Sequence, residues 1–257
     1  MGTPLIITGM HRSGTSLLAN LLQEAGVAMG QVLEAASSFN PKGHFEDRDF
    51  MELHREALGG GDGELLYTAT AEQELTLTEP LQQRAREYVQ QRADLPLWGF
   101  KDPRTTLFLN DWRQLLPEAR FVFVYRSPEF VVNSLRRRRD PPLFVRAANG
   151  NETFLWRRAA DMWVSYNQRV LRFLAEHPQR CVLLCADSLA TDFEPFLDAV
   201  RQSWQLPLHA IDTSDVFDPK LMRSHVPPVL RWKTRWRASV RQTLRQLEEA
   251  YRKYRCW

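Results

Sequence analysis

The stretch Pro4-Leu5-Ile6-Ile7-Thr8-Gly9-Met10-His11-Arg12-Ser13-Gly14-Thr15-Ser16 decides how the rest of the chain is read. Pro4 to Thr8 is short and apolar on both faces, as a parallel strand covered by helices on both sides must be. Gly9 to Thr15 is a polar turn bounded by glycines. Leu17, Leu18, Leu21, Leu22 and Ala25 then recur at helical spacing, and Gly26 supplies a stop. Strand, glycine loop and helix together form the opening of a phosphate-binding βα unit, in which backbone N–H groups and the positive end of the helix face an anion.

Outward from this unit, apolar strands alternate with amphipathic helices. Strands are expected at Leu97–Phe100, at Arg120–Tyr125 (the clearest, being β-branched and aromatic) and at Arg180–Ala186. Helices are expected from near Asp49, at Glu79–Gln91, Asn110–Leu116, Phe130–Arg137, Thr153–Ala175 and Phe193–Trp204, with a last continuous helix from Lys233 to Tyr254. Gly59-Gly60-Gly61-Asp62-Gly63 reads as a break within a domain, since apolar periodic segments resume beyond it. The pattern predicts an α/β fold, a three-layer α/β/α sandwich with a mainly parallel central sheet, spanning residues 1–257 as one domain with a basic helical segment at 220–257.

Composition narrows the function. With 257 residues, 44% of them hydrophobic, the chain carries enough apolar material for one large core. Three cysteines (Cys181, Cys185 and Cys256) without metal-ligand spacing argue against a disulfide framework and against structural zinc. No run approaches the ~18 apolar residues of a membrane span, so a soluble, cytoplasmic chain is expected. The net charge of +3 hides an asymmetry: residues 220–257 hold eleven Lys/Arg and two Glu. That segment is read as an amphipathic helix with a solvated basic face, capable of peripheral contact with an anionic surface. No nucleic-acid-binding motif accompanies it, and a nucleic-acid partner is not expected.

The glycine spacing of Gly9 to Gly14 is that of a Walker A loop, yet Thr15 stands where that motif requires Lys. A nucleoside triphosphatase uses that Lys on the β- and γ-phosphates and the next hydroxyl on Mg²⁺. Here the only basic residue of the loop is Arg12, which suits one phosphate with an attached sulfuryl group and requires no metal. The run Met10 to Ser16 resembles the 5′-phosphosulfate loop of the sulfotransferases that use 3′-phosphoadenosine 5′-phosphosulfate (PAPS). The resemblance implies that His11, Arg12, Ser13, Gly14, Thr15 and Ser16 bind that end of the nucleotide.

Two further segments carry the same resemblance. Arg126 ends the strand at Tyr125, and Ser134 follows eight residues later on a helix, similar to the family's 3′-phosphate site. A guanidinium and a hydroxyl are suited to such a group through charge-assisted hydrogen bonds. Gly99-Phe100-Lys101-Asp102-Pro103-Arg104 resembles the Lys-Asp-Pro segment of the carbohydrate- and tyrosine-modifying branch, which implies that Lys101, with Arg12 beside it, stabilises charge on the transferring group. Arg104 either binds the acceptor or fixes Asp102. For the base that deprotonates the acceptor, the stretch Asn40 to Asp47 is comparable to the one that holds a catalytic Glu in the glycan-modifying branch. Glu46 is the first choice there, His44 the second and Asp47 the third. Arg223 and Lys220, at the start of the basic segment and ahead of its helix, are candidates for closing over the nucleotide. The expected activity is sulfuryl transfer from PAPS to a hydroxyl or amine on a carbohydrate, glycoconjugate or other small hydroxyl compound, leaving 3′-phosphoadenosine 5′-phosphate. A P-loop small-molecule kinase and a non-catalytic module for anionic ligands are the alternatives.

Overall fold

The computed structural model describes residues 2–30, 32–34, 45–60, 68–138, 152–213 and 225–255. In chain order the elements are β1 (Thr3–Thr8), α1 (Thr15–Glu24), α2 (Arg48–Ala57), α3 (Glu79–Gln90), β2 (Leu97–Lys101), a 3₁₀ turn (Pro103–Leu107) and α4 (Leu109–Leu115). There follow β3 (Arg120–Tyr125), α5 (Pro128–Arg138), α6 (Glu152–Glu176), β4 (Cys181–Cys185), α7 (Leu189–Ser203), α8 (Pro228–Trp236) and α9 (Ala238–Tyr254). The four strands form one sheet in the order β2-β1-β3-β4, with every pairing parallel.

Alternation along each strand builds the layers. Ile6, Phe100, Phe121, Phe123 and Tyr125 point to one face, where they pack with Phe50 of α2, Trp112 of α4, Val131 of α5, Trp163 and Tyr166 of α6 and Leu247 of α9. Leu5, Ile7, Val122, Val124, Val182 and Leu184 point to the other and meet Leu18, Leu21 and Leu22 of α1 and Phe193 and Phe196 of α7. Helices therefore cover both faces, as the apolar character of the strands predicts. From β1 the chain crosses first to β2 on one side and then to β3 on the other. This reversal opens a crevice at the carboxyl ends of β1 and β3, the place where open parallel sheets bind ligands.

The C-terminal segment departs from expectation. The continuous helix from Lys233 to Tyr254 is instead two helices, starting earlier, at Pro228, and broken at Arg237, whose backbone is extended (φ −65°, ψ 127°). Arg237 is held there by its side chain, which donates to the Arg157 carbonyl at 3.1 Å and pairs with Asp161. Helical periodicity in the sequence cannot register such a break, because its cause lies on α6.

Candidate active site

The loop after β1 is shaped by close packing. A Cβ on Gly9 (φ 148°) would lie 2.1 Å from the Val124 carbonyl, and one on Gly14 (φ 89°) would lie 3.0 Å from Cβ of Ala186. Both positions demand glycine for conformation and space. Arg12 adopts a left-handed φ of 68°, strain of about 1 kcal/mol or more in a non-glycine residue. Gly14 is the N-cap of α1, so no side chain caps the first turn, and the leading N–H groups at Thr15 and Ser16 face the loop. Ser13 Oγ is buried and makes no hydrogen bond among the described residues. Uncapped amides and a buried hydroxyl around a glycine cradle are suited to an anionic group.

Lys101 ends β2 and is fully buried. Its ammonium donates to Glu46 Oε1 at 2.5 Å and to Ser16 Oγ at 3.2 Å, joining the acidic segment before α2 to the start of α1. Burial lowers the Lys101 pKa, against the opposing pull of Glu46 and Asp102, and Arg104 lowers it further. Glu46 is delivered by backbone pairing: the Glu34 N–H donates to its carbonyl at 2.7 Å, and the Arg48 N–H donates to the Val32 carbonyl at 3.0 Å. The left-handed Phe45 (φ 56°) precedes it. Asp47, one residue on, is turned away from this centre. It caps α2 through the Asp49 N–H and accepts from buried Arg92 at 2.6 Å, so its role is to anchor the helix, contrary to its candidacy as a base. Burial raises the Asp47 pKa while Arg92 pulls it down.

Behind Lys101 lies a chain of buried polar contacts. Asp102 Oδ1 accepts from the backbone and side-chain nitrogens of Arg104, both at 2.9 Å, and Oδ2 accepts from His54 Nδ1 at 2.8 Å. The Trp112 indole donates to His54 Nε2 at 2.8 Å, and since an indole can only donate, the imidazole proton sits on Nδ1, directed at Asp102. Thr8 Oγ1 donates to the Asp102 carbonyl and meets Thr106 Oγ1, both at 2.8 Å. Burial alone pushes the Asp102 carboxyl up, but Arg104 and His54 together hold it below the ordinary carboxylate range. Arg104 thus pairs with Asp102. Its guanidinium also feels Glu46 and Tyr166, which brings it to the same centre.

Ser134 and Arg126 meet different partners. Ser134 Oγ accepts from Arg12 Nε at 2.9 Å, tying the loop after β1 to α5. Arg126 lies over the Phe130 ring at 5.0 Å and points Nε at Asp187 Oδ1, 3.4 Å away. Asp187, just past β4, also accepts from Ser127 N at 2.9 Å and Ser127 Oγ at 2.5 Å. The Trp163 indole donates to the Arg126 carbonyl at 3.0 Å. His11 packs edge-on to Tyr166, with ring centroids 5.9 Å apart. Loops at the carboxyl ends of all four strands therefore converge on one crevice.

Of the residues singled out from sequence, Arg12, Ser13, Gly14, Thr15, Ser16, Glu46, Lys101 and Ser134 assemble around the loop after β1, with His11 and Arg126 at its flanks. His44, Lys220 and Arg223 lie outside the described residues. Arg12 donates to Ser134, and Arg104 is a basic group that acts on Lys101. Sequence reasoning passed over His54, Trp112, Tyr166 and Asp187. His54 had a local signal, a histidine on the buried stripe Phe50, Met51, Leu53, His54 of α2. Tyr166 and Asp187 had none. Among the described residues, no group of three or more His, Cys, Asp or Glu is placed to hold a metal ion, and no helix is long and apolar enough to cross a membrane.

Comparison with known proteins gives this geometry a family. The sulfotransferase domain of the curacin biosynthetic pathway superposes with a TM-score of 0.55 at 16% identity, covering 96% of this chain and 97% of its own. A sulfotransferase from Mycobacterium tuberculosis gives a TM-score of 0.60 at 15% identity, with 97% of this chain and 77% of that one covered. For a sulfotransferase from Alicyclobacillus acidocaldarius the values are 0.55, 16%, 98% and 96%. At these identities the structures establish the shared fold. No curated protein matched in sequence. The sequence profile of the sulfotransferase family, however, matches residues 4–210, most of the chain and every element of the crevice, which sets aside the small-molecule kinase. The chain therefore belongs to the sulfotransferase family, a family of transferase enzymes.

Proposed function

We propose that this transferase takes its sulfuryl group from PAPS and delivers it to a hydroxyl, or an amine, on a carbohydrate or other glycoconjugate. The observation that carries the reading is the Lys101 ammonium held between Ser16 Oγ at 3.2 Å and Glu46 Oε1 at 2.5 Å, at the uncapped start of α1. One cation there touches both the loop suited to an anionic leaving group and a carboxylate suited to a proton.

The residues divide the work by chemistry. The backbone amides at Gly14 to Ser16 and the Ser13 hydroxyl hold the 5′-phosphosulfate, and Arg126 and Ser134 hold the 3′-phosphate, with Arg12 linking the two. PAPS, when bound, supplies the sulfuryl group and a phosphate leaving group. Glu46 takes the proton from the attacking hydroxyl as the new O–S bond forms and the bond from sulfur to the phosphate oxygen breaks. Lys101 and Arg104 stabilise the charge that spreads over the sulfuryl oxygens and the departing bridge oxygen. Asp102, His54 and Trp112 hold Arg104 in place. The carbohydrate acceptor rests on the likeness of the Lys101-Asp102-Pro103 segment and Glu46 to the glycan-modifying branch.

The test is titration calorimetry with 3′-phosphoadenosine 5′-phosphate, with ATP–Mg²⁺ as comparator, followed by mass spectrometry of a panel of sugars and glycosides incubated with PAPS. Binding of the former ligand alone, with a sulfated sugar, is the expected result. Preference for ATP–Mg²⁺ overturns the donor assignment. Tight nucleotide binding with no sulfated product from any hydroxyl or amine overturns catalysis in favour of a binding module.

A further inference from the structure

The described C-terminal helices present a surface that the crevice does not use. On α8, Leu230 and Thr234 face the core, while Val229, Trp232 and Trp236 are 63%, 59% and 67% exposed. At about 100° per residue, positions 229, 232 and 236 fall within a ~60° stripe, turned well away from the buried one. The two indoles lie side by side, with centroids 5.2 Å apart, forming an apolar ridge rather than a pocket. Large exposed aromatics are uncommon without a partner, and two neighbouring ones on one short helix mark a contact surface.

The charge around the ridge identifies the partner. Lys233 and Arg235 flank it on α8 and Arg231 lies further round the helix, all three exposed. Arg235 reaches Glu129 at 2.8 Å, whereas Arg231 and Lys233 meet no acidic group among the described residues. Arg241 of α9 donates to the Trp236 carbonyl, bringing another guanidinium to the end of the ridge. From Lys220 to Leu247 the sequence contains eight Lys/Arg and no Asp or Glu. Indoles with a short aliphatic companion, bordered by cations, make up the composition of a helix that lies in a bilayer interface: the rings enter the headgroup region and the cations meet anionic lipid. A partner protein with an acidic groove shares the charge logic, but a ridge of two exposed, mutually tilted indoles with no pocket between them matches a deformable lipid surface better.

We infer that α8 is a peripheral docking element for anionic membranes, with Trp232 and Trp236 inserting at the interface and Arg231 and Lys233 supplying the electrostatic attraction. Because α8 packs on α5 through Arg235–Glu129, and Asn133 of α5 donates to the His225 carbonyl at 3.0 Å, docking would bring the helix that carries Ser134 near the lipid surface.

Sedimentation with sucrose-loaded vesicles tests this, using phosphatidylcholine alone and an equimolar mixture with phosphatidylglycerol. The full chain is expected to bind the mixed vesicles at low salt, to bind pure phosphatidylcholine about tenfold less, and to dissociate as salt screens the charges. The double variant W232A/W236A, and separately R231E/K233E, should each lower partitioning by about tenfold or more, with circular dichroism and melting temperature unchanged because all four side chains are exposed. Brominated lipids should quench tryptophan fluorescence in the wild type and not in W232A/W236A. Absence of binding to mixed vesicles, equal binding to both vesicle types, or undiminished binding by either variant overturns the inference. So does light scattering that shows a dimer converted to monomer by W232A/W236A, which assigns the ridge to a second copy of the chain.

Discussion

Replacing Glu46 with Gln separates a catalytic carboxylate from a structural one. The amide keeps the size and an acceptor oxygen for Lys101, but removes the negative charge 2.5 Å from a buried ammonium. At that separation and an effective dielectric of about 20, the gross attraction is about 7 kcal/mol. Desolvation of the two ions cancels much of it, and losing one partner of a buried pair typically costs about 3–5 kcal/mol. The retained hydrogen bond, and the freedom of Lys101 to shed its proton, place Glu46→Gln near the lower end, about 2–3 kcal/mol. For a domain of this size that is a fall of about 5–10 °C in Tm. A lost general base lowers kcat by about 10²–10⁴-fold. Differential scanning calorimetry reads the first quantity, release of 3′-phosphoadenosine 5′-phosphate from PAPS with a sugar acceptor reads the second, and affinity for that nucleotide should stay within about threefold, since Glu46 is placed to touch the acceptor. If Tm falls as calculated while kcat stays within about threefold of wild type, Glu46 is only the partner of Lys101 and the proton goes elsewhere. If neither changes, the ion pair does not carry the energy its geometry implies.

Three further outcomes are expected. Arg126→Ala and Ser134→Ala should each weaken binding of 3′-phosphoadenosine 5′-phosphate by about 10- to 100-fold in calorimetry, the range for a lost charge-assisted hydrogen bond; unchanged affinity refutes the 3′-phosphate assignment. Because burial lowers the Lys101 pKa, its charge is lost on the alkaline side earlier than the ~10.4 of an ordinary lysine, so kcat/KM should decline below that pH; in Lys101→Arg, which stays charged, any residual activity should lack that limb. Burial pushes the Cys181 thiol up to about 12, so iodoacetamide at neutral pH should leave it unmodified in the folded protein and label it only in denaturant.

The strands at Thr3–Thr8 and Arg120–Tyr125 and the helix at Thr15–Glu24 were legible in the sequence because each obeys a local rule: continuous apolar β-formers bounded by Gly or Pro, or a 3.6-residue stripe after a glycine turn. The shape of the loop after β1 was legible for the same reason, since it is dictated by Gly9 and Gly14 themselves. The break at Arg237 was not, because Arg157 and Asp161 enforce it from another helix.

For the site, the sequence by itself determined which side chains hold charge near the strand ends, and so the likeness to the sulfotransferases, because those residues sit in short motifs. Only the tertiary structure decided how they pair. Ser134 meets Arg12 from 122 positions away, and Lys101 meets Glu46 from 55. Asp47 is diverted to Arg92 while its neighbour Glu46 reaches the crevice. Arg104 is held to Asp102, which His54 and Trp112 support from α2 and α4. The physical reason is the same in each case: a buried polar group must find a partner, and which partner lies within 3 Å depends on how the helices settle on the sheet.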